Sequence, residues 1–242
     1  MDVKIAPKRL DSKKQRNEKK SSQFAYTEIY RQLRTNIEYS SFEKNIQVVN
    51  VVSTNPAEGK SSVASNLATV SVAKYANVLL MDCDLRKPVQ HKIFNVSNKV
   101  GLSNLMRNFD SFDVNEDTYF QKFKDNTSEG RLFLLTSGVR VPNPGELLSS
   151  EKFKKLMDTL KTRFDFIVID CPPISAVADA IPVSHNCDGT VFVISAKDTD
   201  KNEAKNALTE MQRNGVNVLG SVMTMTEATA KHYYNYYYSN EK

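Results

Sequence analysis

Residues 53–62 have the residue types and the spacing of a phosphate-binding loop, Ser-Thr-Asn-Pro-Ala-Glu-Gly-Lys-Ser-Ser. The segment follows a β-branched run and opens a helical pattern, which is the setting that such a loop requires. We expect its backbone N–H groups to surround a triphosphate, with Lys60 reaching the outer phosphates and Ser61 ligating Mg²⁺. The alternative is a helix start with an incidental Gly-Lys-Ser, which the order of strand, loop and helix disfavours. The residues expected to bind the nucleotide are Asn55, Pro56, Ala57, Glu58, Gly59, Lys60, Ser61 and Ser62.

Two further apolar runs end in carboxylates. Asp82 and Asp84 close residues 79–84, and Asp170 closes residues 166–170. In a doubly wound sheet the carboxyl ends of neighbouring strands meet at the crevice where ligands bind, so we expect these acids to converge. Three carboxylates together are costly unless a cation compensates them, and Mg²⁺ with a triphosphate supplies that charge. A single Asp at a strand end is more often a turn former, but three beside a phosphate-binding loop favour a nucleotide hydrolase or a kinase.

A tyrosine cluster close to the C-terminus distinguishes these two enzymes. Five of the ten tyrosines belong to it: Tyr233, Tyr234, Tyr236, Tyr237 and Tyr238. Alternate residues of such a run could not all be buried, so a packed core does not explain it. The alternative is a segment that docks on a groove or a partner. We favour a mobile, multiply phosphorylated segment, in which each phosphate adds roughly −1.5 to −2 charges.

The elements that must position these residues form an alternating pattern. Candidate strands are residues 46–53, 78–82, 132–136, 166–170, 190–195 and 218–223. Candidate helices are residues 24–44, 60–75, 102–109, 146–162, 175–186 and 201–214. Near-continuous apolar strands between helices predict an α/β fold with a doubly wound, mostly parallel sheet covered by helices on both faces. Residues 110–131 are expected to be a surface excursion, and no second domain is expected.

Charge sets a basic leader apart from the rest of the chain. Residues 1–20 carry eight Lys or Arg and three Asp or Glu, so the net charge of +5 lies in this leader and the rest is neutral. A neutral body argues against nucleic-acid binding, whereas the leader could lie near anionic lipid or an acidic partner, or be a solvated segment. We expect a basic leader (1–22), a domain (23–228) and a tyrosine-rich segment (229–242).

Membrane and disulfide frameworks are not expected. The longest apolar runs are far below the roughly 18 residues that a membrane helix needs. No apolar segment follows the leader as in a secretory signal, so the sequence predicts an intracellular chain. Three scattered cysteines suit buried side chains in a reducing compartment, and we assign them no chemistry.

Five segments resemble those of the bacterial protein-tyrosine kinases that drive capsule and exopolysaccharide synthesis, and along the chain they follow the family's order. They are the phosphate-binding loop, residues 81–88 (Met-Asp-Cys-Asp-Leu-Arg-Lys-Pro), residues 169–173 (Ile-Asp-Cys-Pro-Pro), the tyrosine cluster, and residues 28–34 with an E-x-x-R-x-x-R pattern. The resemblance covers nearly the whole chain from about residue 24. It implies a P-loop fold with Walker A, A′ and B motifs, and an autophosphorylating tyrosine kinase that uses ATP and Mg²⁺.

The resemblance also implies a role for each site residue. Lys60 would bind the β- and γ-phosphates, and Ser61, Asp84 and Asp170 would hold the metal. Asp82 would be the base, or the group that orients the incoming tyrosine hydroxyl. Arg86 and Lys87 would steer phosphate or the acidic phosphorylated segment, so Arg86 joins the expected nucleotide-binding residues.

Partners are implied in the same way. Glu28, Arg31 and Arg34 would contact a neighbouring subunit in a ring, an octamer by resemblance, although spacing alone also allows ordinary intrahelical ion pairs. Each protomer would offer its tyrosine cluster to its neighbour's active site, and phosphorylation would loosen the ring. A separate transmembrane activator would recruit the cytoplasmic chain to the inner face of the membrane. Polysaccharide-synthesis enzymes would be further substrates, and a tyrosine phosphatase would reverse the modification.

Three positions of the sequence bear on the alternatives to a kinase. Thr54 replaces the first glycine of the usual loop, and Thr224 stands where relatives often have an Asn that contacts adenine. These two favour a catalytically weak structural ring component. Partitioning and septum-placement ATPases carry a Lys at the position of Asn55, which argues against a positioning ATPase. The kinase remains the favoured hypothesis.

Overall fold

The computed structural model describes residues 26–41, 45–124, 129–176 and 179–226. Its strands are β1 (Val48–Ser53), β2 (Asn77–Asp82), β3 (Gln121–Lys124), β4 (Arg131–Leu135), β5 (Phe166–Asp170), β6 (Gly189–Ser195) and β7 (Val218–Thr224). Its helices are α1 (residues 26–38), α2 (Lys60–Ser71), α3 (Gln90–Ile93), α4 (Leu102–Arg107), α5 (Pro144–Leu148), α6 (Glu151–Arg163), α7 (Ala180–Ser184) and α8 (Lys201–Arg213). The basic leader and the tyrosine cluster lie outside the described residues, so the predicted domain boundaries stay predictions.

All seven strands form one sheet in the order β3-β4-β2-β5-β1-β6-β7. Every neighbouring pair is parallel except β3 and β4, which are antiparallel. Strands β1 and β5 are buried at every position, as expected for the centre of a sheet covered on both faces. The predicted doubly wound, mostly parallel α/β fold is confirmed.

The two faces of the sheet bury separate apolar cores. Val49 and Val51 of β1 pack with α1 and α2, and Val48 and Val52 pack on the opposite face with α4, α6, α7 and α8. This alternation follows from the two-residue period of a strand. Each fully buried Val, Leu, Ile or Phe contributes about 1.5–3 kcal/mol, so the two cores hold the central strands in place.

Two predictions about elements were wrong. The single helix expected at residues 146–162 is two helices, because Ser150 caps α6 by accepting a hydrogen bond from the Phe153 N–H at 3.2 Å. The excursion at residues 110–131 contains β3, whose pairing with β4 makes it an edge of the sheet. Helix α7 is also shorter than the helix expected at residues 175–186.

The described residues contain no helix with the length and apolar character needed to cross a bilayer.

Candidate functional site

The phosphate-binding loop connects β1 to α2 at the carboxyl edge of the sheet. Gly59, directly before α2, has a left-handed backbone with φ of +91°. A Cβ atom there would lie 3.3 Å from Cγ2 of Thr224 in β7. The left-handed backbone therefore favours glycine, and the close approach of β7 leaves little room for a side chain. This turn places Lys60 at the first position of α2.

Lys60 lies among the converging carboxylates. Its Nζ is 3.2 Å from Oδ2 of Asp84 and 3.6 Å from Oδ1 of Asp170. Asp82 and Asp170 are aligned across β2 and β5, and the three acids are at most 4% exposed. Burial alone lowers the pKa of Lys60, but the charges of Asp170 and Asp84 outweigh it and raise the pKa above its usual value. The predicted convergence of these side chains is what the fold produces.

Asp82 holds the loop that follows β2 (residues 83–89). Its Oδ1 accepts from the Asp84 N–H at 3.2 Å, and its Oδ2 accepts from the N–H groups of Val89 and Gln90 at 3.1 and 3.0 Å. Burial, followed by the charge of Asp170, raises the pKa of Asp82 to about 8, although the two Oδ2 contacts oppose the shift. The Asp82 carboxyl therefore accepts hydrogen bonds from backbone N–H groups of this loop and of the first residue of α3.

Gln90 is a site residue that the sequence analysis missed. Its Nε2 donates to the backbone oxygen of Ser61 at 3.0 Å and to Oδ2 of Asp170 at 2.8 Å. The side chain is fully buried, and its Oε1 has no hydrogen-bond partner among the described residues. One amide thus joins the start of α2 to the end of β5. A glutamine in Val-Gln-His-Lys has no motif that would have singled it out.

Asn55 connects the phosphate-binding loop to α8 and to the segment after β5. Its Nδ2 donates to Oε2 of Glu203 at 2.7 Å, and its Oδ1 accepts from the Ser175 hydroxyl at 2.7 Å. Glu203 lies in the first turn of α8, and Ser175 lies in the segment after β5 (residues 171–176). Both ends of the Asn55 amide are engaged with protein, which holds the phosphate-binding loop between these elements.

Thr224 also contacts the phosphate-binding loop. Its hydroxyl donates to the backbone oxygen of Glu58 at 2.6 Å. The Glu58 carboxylate, only 1% exposed, accepts from the Thr199 hydroxyl at 2.6 Å. These bonds tie the loop to the end of β7 and to the turn that precedes α8. Thr224 stands where relatives often have an Asn that contacts adenine. In this structure its hydroxyl holds the backbone of the phosphate-binding loop.

Arg86 connects the loop after β2 to the start of α7. Its Nε and Nη2 donate to the two carboxylate oxygens of Asp179 at 2.7 and 3.1 Å. The Arg86 side chain is nevertheless 45% exposed, whereas that of Asp179 is 7% exposed. Such a two-bond pair fixes direction as well as distance. Arg86 is thus oriented by Asp179 at the rim of the site.

A cavity of about 560 Å³ opens between the phosphate-binding loop, the loop after β2 and the segment after β5. Its lining residues are Pro56, Ala57, Gly59, Lys60, Ser61, Ser62, Asp84, Arg86, Lys87, Val89, Ile93, Pro172, Pro173 and Ala176. Lys60, Ser61 and Asp84 face this space, whereas Asp82 and Asp170 are not among its lining residues. The cavity is therefore where outer phosphates and a reacting group could meet.

The oxygen atoms at the base of the cavity fit Mg²⁺. The Ser61 hydroxyl lies 3.2 Å from Nζ of Lys60, beside Asp84 and Asp170. Oδ1 of Asp170 is buried and has no hydrogen-bond partner in the described part of the chain. Within that part no three His, Cys, Asp or Glu side chains form a metal cage. Mg²⁺ usually binds through one or two carboxylates, waters and substrate phosphates, which is the donor set available here.

Glu28, Arg31 and Arg34 of α1 have different environments. Arg31 pairs with Glu28 at 3.1 Å, and both side chains are more than 40% exposed. Arg34 instead faces α2: it pairs with Glu38 at 3.4 Å and donates to the backbone oxygen of Val70 at 3.2 Å. Glu28 and Arg31 therefore remain open to a neighbouring molecule, whereas Arg34 also fastens α1 to its own subunit.

Comparisons with known proteins extend over most of this fold. A family model described as an AAA domain matches residues 46–196. Tyrosine-protein kinase YwqD of Bacillus subtilis is 37% identical over 211 residues, which are 87% of this chain and 86% of YwqD. Tyrosine-protein kinase CpsD of Streptococcus pneumoniae is 30% identical over 207 residues, which are 85% of this chain and 87% of CpsD. The solved kinase domain of Escherichia coli tyrosine kinase ETK has a TM-score of 0.72 at 26% identity, over 84% of this chain and 78% of that chain.

Proposed function

Since the chain belongs to the bacterial tyrosine-protein kinases and is a protein-tyrosine kinase, we propose that it phosphorylates its own C-terminal tyrosine cluster. The phosphoryl donor is ATP with Mg²⁺, and the acceptors are Tyr233, Tyr234, Tyr236, Tyr237 and Tyr238. The P-loop fold accounts for nucleotide binding. The cluster itself lies outside the described residues, so its role rests on its composition and on the resemblance given above.

The observation that carries this proposal is the contact of Lys60 with Asp84 and Asp170 at the base of the cavity. Phosphoryl transfer requires mostly positioning and neutralisation of charge. The Lys60 ammonium supplies positive charge to the β- and γ-phosphates from a fixed position at the start of α2. The backbone N–H groups of the phosphate-binding loop, those of Ala57 to Ser62 among them, would hold the remaining phosphate oxygens.

Ser61, Asp84 and Asp170 would hold Mg²⁺, which would supply positive charge to the phosphate oxygens. Lys60 contacts the same two carboxylates before the metal arrives, and its presence reduces their mutual repulsion. Gln90 restrains one oxygen of Asp170, which leaves Oδ1 for other contacts. Lys60 and Gln90 therefore hold the carboxylates of Asp84 and Asp170 close together before Mg²⁺ binds.

Asp82 acts by orienting rather than as a base. Its contacts with three backbone N–H groups hold the loop that carries Asp84, Arg86 and Lys87 at the edge of the cavity. Arg86, directed by Asp179, faces the same cavity and would attract phosphate or the phosphorylated cluster. The acceptor hydroxyl is then positioned by the cavity that this loop borders, which suits a reaction governed by alignment.

The acceptor cluster is supplied in trans within a ring of subunits. The exposed pair Glu28 and Arg31 is available for a subunit contact on α1, and Arg34 stiffens that helix against α2. The ring size by resemblance is eight. A transmembrane activator recruits the chain to the inner face of the membrane, where it regulates capsular or exopolysaccharide synthesis. Polysaccharide-synthesis enzymes are further substrates, and a tyrosine phosphatase resets the cycle.

The test is autophosphorylation of the purified full chain in Mg·ATP, with and without the cytoplasmic segment of a candidate activator. We expect mass spectrometry to find phosphate on residues 233–238, and to find none in Lys60→Met. A matched control is Lys155→Met, which changes an exposed lysine of α6. ATP hydrolysis without phosphotyrosine would indicate a positioning ATPase. Neither activity, with the activator present, would indicate a structural ring component.

A further inference from the structure

The cavity beside Lys60 has an apolar side that the nucleotide roles do not explain. It consists of Val89 and Ile93, from the loop after β2 and from α3, and of Pro172, Pro173 and Ala176, from the segment after β5. We call these five residues the apolar wall. Ile93 is 47% exposed, although it is a large aliphatic residue. Pro172 and Pro173 are buried and have fixed φ angles and no N–H group, so their part of the wall is rigid.

We propose that the apolar wall binds the aromatic ring of the acceptor tyrosine. This inference rests on the proposed function and specifies how that site receives its substrate. The wall borders the same cavity as Lys60, Ser61 and Asp84, which mark where the outer phosphates lie. An acceptor must approach the γ-phosphate roughly in line with the leaving group, and a phenol held on the wall enters beside those residues.

The chemistry of the wall matches a phenol. An aromatic side chain buries about 150–250 Å², and its ring gains from apolar contact while its hydroxyl needs a polar environment. Along the cavity, Ile93 is half exposed at the mouth and Asp84 is 4% exposed at the base. A tyrosine lying on the wall directs its hydroxyl towards the base. A serine hydroxyl, one carbon from the backbone, would gain no contact with the wall.

The reaction on the wall is a simple displacement. The phenolic oxygen forms a bond to the γ-phosphorus, and the bond between that phosphorus and the β–γ bridging oxygen breaks. ADP is the leaving group, and the phenolic proton is released to water. The wall contributes orientation, since a ring held on rigid proline surfaces has few ways to place its hydroxyl.

The test uses the full-length chain and synthetic peptides of residues 229–242. One peptide has the natural tyrosines, a second has phenylalanine at all five positions, and a third has serine. We expect the phenylalanine peptide to inhibit phosphorylation of the tyrosine peptide competitively, and the serine peptide not to do so. In Ile93→Ala, KM for the tyrosine peptide and Ki for the phenylalanine peptide should rise together by about tenfold. The affinity for a non-hydrolysable ATP analogue should change less than about twofold.

Two further variants complete the design. Val89→Ala should give a change in the same direction as Ile93→Ala, and because both side chains are partly exposed, each protein is expected to fold. Val100→Ala is the matched control, since Val100 is 43% exposed and is not among the lining residues of the cavity. Its KM and Ki should equal those of the wild type.

The outcomes separate the two proposals. Unchanged KM and Ki in Ile93→Ala would overturn the tyrosine-binding role of the wall. Weaker binding of the ATP analogue with unchanged KM would assign the wall to adenine, which also overturns it. If the wild type phosphorylates no peptide, binding of a labelled phenylalanine peptide is measured by fluorescence anisotropy. Binding that Ile93→Ala weakens would then support the wall even if no phosphate is found on residues 233–238, and absence of binding would overturn the wall alone.

Discussion

Replacing Lys60 with methionine tests whether its ammonium group stabilises the nucleotide-free site. Lys60 contacts Asp84 at 3.2 Å and Asp170 at 3.6 Å, and each of these side chains is less than 10% exposed. Methionine keeps most of the side-chain volume, so the packing around the start of α2 should change little. The substitution therefore removes mainly a buried positive charge among carboxylates.

The magnitude follows from these distances. At an effective dielectric constant of about 20, each contact corresponds to about 5 kcal/mol of attraction. Removing the lysine from water costs several kcal/mol, which offsets part of that gain. Loss of one partner of a buried ion pair usually costs about 3–5 kcal/mol. We expect Lys60→Met to lower the free energy of unfolding by about 4 kcal/mol at pH 8, or Tm by about 8–16 °C for a chain of this size.

The pH dependence of this loss is a second part of the prediction. Burial raises the pKa of Asp82 to about 8 and also raises the pKa of Asp170. At pH 5.5 the Asp82 carboxyl is protonated, so less negative charge is left uncompensated when Lys60 is absent. The difference in stability between wild type and Lys60→Met should therefore be smaller at pH 5.5 than at pH 8.

Urea denaturation followed by circular dichroism, without nucleotide and with a chelator, measures both quantities. Lys155→Met, on the exposed face of α6, is the control and should unfold like the wild type. A Lys60→Met protein as stable as the wild type at pH 8 would refute the compensating role of the ammonium group. An equal loss at the two pH values would refute the part assigned to the carboxylates.

Three other perturbations test separate features of the molecule. Ser150→Ala should lower the free energy of unfolding by about 1 kcal/mol, because α6 loses its N-terminal cap, as measured by urea denaturation. The nucleotide-free wild type should lose stability as the pH rises from about 4 to about 8, because a carboxyl with a raised pKa favours the folded state only while it is protonated. Asp82→Asn should flatten that profile. Gln90→Met should reduce the Mg²⁺-dependent gain in ADP affinity by about tenfold and leave the metal-free affinity unchanged, as measured by calorimetry.

Exposed residues of the same or a similar type provide the control for each of the three substitutions. Thr162→Ala in α6, Asp158→Asn in α6 and Gln212→Met in α8 should leave the respective measurements unchanged. An unaltered midpoint in Ser150→Ala would contradict the capping role. A pH profile of Asp82→Asn that parallels the wild type would assign the titration to another group. Equal loss of ADP affinity with and without Mg²⁺ in Gln90→Met would indicate a merely structural amide.

Local sequence patterns determined much of the fold and of the site. The sequence shows the apolar strands, the glycine before α2, the lysine that opens α2, and the acids at the ends of β2 and β5, each within a few residues. The apolar pattern of a strand and the residues that form a turn extend over only a few positions. The predicted bounds of β5 therefore match the observed ones. Convergence of Lys60 with Asp84 and Asp170 followed because parallel strands bring their carboxyl ends to one edge.

Tertiary structure alone decided what each polar group contacts. The amide of Gln90 meets Asp170 eighty residues away, and the Thr224 hydroxyl meets the Glu58 carbonyl 166 residues away. Asp82 is committed to backbone N–H groups because its loop folds back over it. The edge strand β3 exists through its pairing with β4, since its own sequence is too short and polar to indicate a strand. Hydrogen bonds of this kind depend on atoms brought within about 3 Å by the whole fold, and no local pattern encodes that meeting.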